Sequence, residues 1–161
     1  MNLEWTYPRN HFDFIHVREL FGSVDDWDRF FLQSLAALKP GAYLEILEHS
    51  VQPVSDDETA GPESFYRLWG DTVIEMGERR GKSFSIWKES RERMEKAGFE
   101  GLVETRYKWP MNGWSKDPKL RELGQWNQLR LYDGIEGMMI RMLTNAGGVS
   151  TSPFAVWLNT W

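Results

Sequence analysis

Two stretches decide the fold: FDFIHVREL at residues 12–20 and LKPGAYLEILE at residues 38–48. The first is a short apolar run rich in β-forming residues, the pattern of a strand buried in a parallel sheet. Gly22 and Ser23 break it, and Asp25-Asp26 then offer an N-cap. Trp27, Phe30, Phe31, Leu35 and Leu38 follow at helical spacing on one face. The spacing predicts a helix over about 26–38, ended by Lys39-Pro40-Gly41, and a second strand over 42–48. A strand–helix–strand unit of this length suits a right-handed parallel crossover, so the two strands are expected to be adjacent and parallel.

Outward from this unit, residues 50–62 are polar and read as an exposed loop. Helices are expected from about Pro62 to Arg80 and from about Ser85 to Lys96, with stops at Gly81 and Gly98. FEGLVETRYKW at 99–109 is a strand candidate closed by Pro110, and Asn112-Gly113 marks a turn. Pro118 to about Leu143 is one long helix or two shorter ones, since Gly124, Gly134 and Gly137 weaken a single helix. The tail from Gly147 has no clear period. No repeat or linker interrupts the chain, which reads as a single, incomplete α/β domain over residues 1–161.

Composition narrows the function. With 19 basic and 24 acidic residues, the net charge of −5 argues against non-specific nucleic-acid binding. Without cysteine there is no disulfide, Cys-based zinc site or cysteine nucleophile. The three histidines, at 11, 16 and 49, show no metal-ligand spacing, so no metal is expected. No secretory signal and no bilayer-spanning apolar run is visible, so a cytoplasmic or nuclear protein without membrane contact is expected. Aromatic residues make up 14%, including nine Trp. Trp109, Trp114, Trp126, Trp157 and Trp161 cluster late, which fits a core, a lid or a partner surface.

The run Phe12-Asp13-Phe14-Ile15-His16-Val17-Arg18, then Trp27, then Leu38-Lys39-Pro40-Gly41-Ala42-Tyr43-Leu44-Glu45 resembles the second half of class I S-adenosylmethionine-dependent methyltransferases, in particular the fungal LaeA-like group of secondary metabolism. Lys96-Ala97-Gly98-Phe99 and Glu104 to Pro110 continue the likeness, which covers roughly residues 3–143. Ala42 stands where a second glycine is usual. The resemblance implies a partial Rossmann-like sheet, mostly parallel, with helices on both faces. Its glycine-rich cofactor loop has no counterpart, since no G-x-G occurs, and the strand-end acid that holds the cofactor ribose is absent too. Both normally precede the matched segment. Glycines in such a loop let backbone approach the ligand, and the acid accepts ribose hydrogen bonds. Weak or no S-adenosylmethionine binding by this chain alone is therefore expected. The first strand is expected to present an open edge, inviting a second copy or another protein. The tail 152–158 stands where the family places a hairpin strand.

The resemblance also points to site residues. Glu4 and Trp5 would be a remnant facing the cofactor adenine, and His16 and Arg18, at a strand end, would border its methionine part. His49, or else His16, is the best candidate for a base, beside Glu48 at the second strand end. Tyr66 and Trp69 share a helix face over the acceptor pocket, with Glu48 as a further substrate contact. Each has a plainer reading: strand-end ion pairs with Glu19 for His16 and Arg18, a solvated loop start for Glu48-His49, and an apolar packing stripe for Tyr66 and Trp69. Arg79-Arg80-Gly81-Lys82 reads as a solvated helix end. His16, Arg18 and Glu48 are expected to line one concavity. The functions implied are methyl transfer to a small molecule, a non-catalytic regulatory or binding role, or a cofactor-free cyclisation on the same scaffold.

Overall fold

In the computed structural model, residues 3–57 and 60–147 are described. The chain divides into two compact units, residues 1–103 and 104–161. The expected tail element at 152–158, with Trp157 and Trp161, lies outside the described residues.

The first unit is built on the strand–helix–strand unit. β1 (Phe12–Arg18), α1 (Trp27–Ala37) and β2 (Leu38–Leu47) follow one another, and β1 and β2 pair in parallel as a two-stranded sheet. Asp26 caps α1, its Oδ1 accepting the Arg29 N–H at 2.9 Å. The helix buries Trp27, Phe30, Phe31, Ser34 and Ala37 on one face. The Ser34 hydroxyl meets the polar cost of that burial by donating to the Phe30 carbonyl at 2.8 Å. Val17, Val24 and Ile86 join Trp27, Phe30 and Phe31 in the core, with Ile15, Leu44 and Ile46 packed against it.

The helix–strand junction differs from expectation. β2 begins at Leu38, not at residue 42, and Lys39-Pro40-Gly41 form an irregularity within the strand. Register jumps there from Phe12↔Leu38 to Phe14↔Tyr43. Pro40 disfavours helical backbone at Lys39, so the chain goes straight from helix into extended structure. Lys39 Nζ then pairs with Asp13 at 2.7 Å across the irregularity.

α2 (Phe65–Glu78) and α3 (Ile86–Ala97) complete the unit. Ser64 caps α2. α3 packs on α1, and Arg93 of α3 holds Asp28 of α1 at 2.8 Å and Glu89 at 2.7 Å. α3 ends at Gly98, with Phe99 donating back to the Met94 carbonyl. One face of the sheet, through Ile15, Val17, Leu44 and Ile46, belongs to the core. The other carries Phe14, His16, Arg18, Tyr43, Glu45 and Leu47, and Tyr43 is 73% exposed.

The strand expected within 99–109 does not form. Val103 is 90% exposed, and no described strand pairs with this segment. β-forming residues adopt a strand only where a neighbour completes the ladder.

In the second unit, α4 runs unbroken from Pro118 to Gly147. Pro118 suits the first helical position, and Asp117 Oδ1 accepts from Lys119 and Leu120 N–H at 2.8 and 3.0 Å. Glycine is required at position 124 within this helix, because the Asn112 carbonyl lies where a side chain would stand. Buried Asn127, one turn on, donates to the Pro110 carbonyl at 3.1 Å and fixes that crossing. Among the described residues, no helix is long and apolar enough to cross a membrane.

Candidate functional site

The C-terminal edge of a parallel sheet is where α/β proteins gather ligand-binding groups. Here the chain leaves β1 through Glu19, which takes a left-handed conformation with φ +51°. Only a turn this tight brings the next backbone N–H groups round to face the end of β2. Glu19 N–H first donates to the Leu47 carbonyl at 3.0 Å. Leu20 N–H then donates to Glu48 Oε1 at 2.8 Å, and Phe21 N–H to Glu48 Oε2 at 3.4 Å. Gly22, at φ +70°, follows with its N–H on the Ser83 carbonyl at 2.9 Å. The Phe84 ring lies where a Gly22 side chain would stand, so glycine is required there twice over.

This turn brings His49 into a half-buried setting. Its Nδ1 lies 3.7 Å from Glu19 Oε1, with the two side chains 25% and 31% exposed. Phe21 meets the imidazole edge to face, ring centroids 4.6 Å apart, and is itself packed on Phe84 at 5.6 Å. Burial pushes the Glu48 carboxyl above the usual carboxylate range, against the lowering effect of the Leu20 and Phe21 N–H groups; Glu19 nearby pushes it further up. The result is an imidazole with a carboxylate on one side and an aromatic ring on another, a setting suited to proton transfer.

The other candidate residues are distributed differently. His16 lies on the open sheet face, opposite Glu45 in the register, and its Nδ1 is 2.7 Å from Glu45 Oε2. Phe14 stacks on the same ring at 6.3 Å. Arg18 is exposed on that face, opposite Leu47. Glu48 continues the alternation of core-facing Leu44 and Ile46 and meets the Leu20 and Phe21 N–H groups, so it does not share the expected concavity with His16 and Arg18 on the open face. Trp5 packs edge-on against Phe30 at 5.5 Å, and its N–H donates to Gln33 Oε1 at 2.8 Å. Glu4 is exposed. Tyr66 and Trp69 lie on α2, the former exposed and the latter half-buried. Of the basic run, Arg79 pairs with Glu75 at 2.6 Å and Lys82 pairs with Asp25.

Sequence reasoning missed Glu19 and Phe21 as parts of the His49 setting. Glu19 has its own plainer role there, as a partner for His16 or Arg18, and nothing in its residue type signals a positive φ. The residues present do not fit a complete S-adenosylmethionine site. Each oxygen of the half-buried strand-end acid, Glu48, already accepts from a backbone N–H group, and no G-x-G loop occurs in the sequence. Among the described residues, no group of three or more His, Asp or Glu could hold a metal ion.

The chain matches the methyltransferase domain family over residues 2–105. It is 33% identical over 157 residues to methyltransferase pytC of Aspergillus terreus, covering 98% of this chain and 48% of that protein. It is 31% identical over 141 residues to secondary metabolism regulator LAE1 of Cochliobolus heterostrophus, covering 87% of this chain and 46% of the relative. To probable methyltransferase tdiE of Emericella nidulans it is 32% identical over 147 residues, covering 91% and 46%. The chain thus spans about half the length of these relatives. No solved structure matches it.

Proposed function

On the premise that the chain belongs to the methyltransferase domain family, we propose that it forms the acceptor side of an S-adenosylmethionine-dependent methyltransferase of secondary metabolism, acting on a small molecule in the cytoplasm or nucleus. One observation carries the reading: at the C-terminal edge of the parallel strand pair, His49 sits half-buried beside Glu19 and Phe21. A neutral imidazole there takes the proton from an acceptor hydroxyl or amine, and Glu19 stabilises the imidazolium that results. The cofactor supplies the methyl group when bound. Its glycine loop and ribose-binding acid come, in this reading, from the rest of the domain, paired along the free edge of β1 and covering the Phe14–Tyr43 face. Tyr66 and Trp69 remain candidates for the acceptor wall.

A calorimetric titration of the 161-residue chain with S-adenosylmethionine tests this division of labour. The absent acid would contribute charge-assisted hydrogen bonds of about 1.5–3 kcal/mol each. Losing two of them weakens binding by roughly two to four powers of ten, so submillimolar or weaker affinity is expected. Micromolar binding by the isolated chain, as a monomer, would show that the cofactor site has been put in the wrong place.

A second reading, a non-catalytic regulatory role, is favoured by the likeness to the regulator LAE1. The two part when the chain is fused to the half of a pytC-like relative that it does not match. Methyl transfer by the fusion supports catalysis, and cofactor binding without transfer to any offered acceptor supports regulation.

A further inference from the structure

We propose that Glu48 is a positioning residue: its carboxylate holds the backbone of Leu20 and Phe21, so that Glu19 and Phe21 keep the His49 imidazole in one orientation. This role rests on the reading of His49 as the proton acceptor, and it replaces substrate contact as the role of Glu48.

The turn after β1 opens with four consecutive N–H groups, Glu19 to Gly22, each with a partner. Glu19 finds the Leu47 carbonyl and Gly22 the Ser83 carbonyl, both main-chain partners. Leu20 and Phe21, between them, both donate to the Glu48 side chain. A single carboxylate thus closes the middle of a turn that starts in a left-handed conformation at a non-glycine residue, a backbone state of sparse population that surroundings must enforce. Both flanks of His49 hang from that segment. Phe21 presents its ring edge to face with the imidazole, and Glu19 brings its carboxylate to 3.7 Å. Without the carboxylate, two half-buried N–H groups lose their acceptor, and the turn relaxes toward partners that do not aim Phe21 and Glu19 at His49.

Fold stability alone does not account for a carboxylate in this place. Burial disfavours its charged form more than the Leu20 and Phe21 N–H groups favour it. A neutral amide would offer the two N–H groups a single acceptor oxygen. Holding the turn in register for His49 is the task that two acceptor oxygens perform.

Solution NMR of the intact chain, with Glu48→Gln and Glu48→Ala variants, tests the proposal. Nuclear Overhauser contacts between the His49 and Phe21 rings are expected in the native chain. They should persist in Glu48→Gln, which keeps one acceptor oxygen in place, and vanish in Glu48→Ala. Leu20 amide exchange should quicken about tenfold or more in Glu48→Ala, the change expected when a charge-assisted hydrogen bond is lost. The His49 titration midpoint should move in Glu48→Ala, with far-UV circular dichroism unchanged. If the ring contacts and the midpoint survive Glu48→Ala, the positioning role is overturned. Loss of thermal stability in both variants with the His49 signals intact overturns it equally, in favour of a merely structural acid. None of these signals requires turnover, so failure of the fusion to transfer methyl groups would count against the functional reading and leave the positional result standing.

Discussion

Two histidine–glutamate pairs lie at the parallel strand pair, and they differ in nearly everything except residue type. His16 and Glu45 are directly opposite in the register, 2.7 Å apart, with side chains 46% and 60% exposed. His49 and Glu19 are 3.7 Å apart, yet only 25% and 31% exposed and flanked by Phe21. The closer pair is the weaker functional candidate. In water an exposed ion pair is screened and contributes about 0–1 kcal/mol. In the half-buried pair each charge is worth more, and the aromatic wall narrows the positions open to a reacting group. Distance and burial therefore rank the two sites in opposite order.

The largest effect expected from this contrast is on turnover. In the chain fused to the unmatched half of a relative, His49→Ala should lower kcat by about 10²–10⁴, the usual contribution of a positioned base, while His16→Ala should change it less than about tenfold. Steady-state kinetics of both variants check this, and equal losses would erase the distinction between the sites.

Next comes the contrast between the two sheet faces. Phe31 is fully buried in the α1 core, and Phe31→Ala should cost about 3–5 kcal/mol in urea unfolding of the chain. Phe14 is open beside His16, and Phe14→Ala should cost about 0.5 kcal/mol or less. A large loss at Phe14 would mean that its face is covered in solution.

Glu48 gives a smaller effect with a definite sign. Its folded pKa is raised above the unfolded value, so the native state holds the extra proton in the window between them. The stability this contributes is fully present below the unfolded value and is lost as pH rises through the folded one. Denaturation from about pH 4 to about pH 7 should show the native chain losing stability relative to Glu48→Gln as pH rises. The opposite slope would mean that the carboxylate is stabilised by its N–H partners more than burial penalises it.

The smallest effect belongs to the exposed pair. Glu45→Gln should alter stability by no more than about 1 kcal/mol, and the difference should shrink in high salt. A larger, salt-insensitive loss would place this pair in a buried setting.

What the amino-acid sequence by itself determined was local. The apolar run at Phe12–Arg18 and the helical spacing of Trp27, Phe30 and Phe31 each rest on interactions within a few residues. The Asp26 cap is local in the same way. So is the Gly98 stop. The parallel sense of the strands follows from the length of their connection. The methyltransferase-domain match over residues 2–105 of the chain bears out the family drawn from the same motifs.

What only the tertiary structure decided was which distant groups meet. A strand pattern does not state its register, so the pairing of His16 with Glu45 was not legible. Nor does residue type announce the left-handed turn at Glu19, which comes from capture of Leu20 and Phe21 by Glu48 from the far strand. The same holds in reverse at 99–109, where strand-like residues stay irregular because no neighbouring strand satisfies them. A helix closes its hydrogen bonds within itself and is written in consecutive residues. A strand, a turn clamped from afar and a half-buried histidine take their partners from elsewhere in the chain, and exist only once those partners have been brought together.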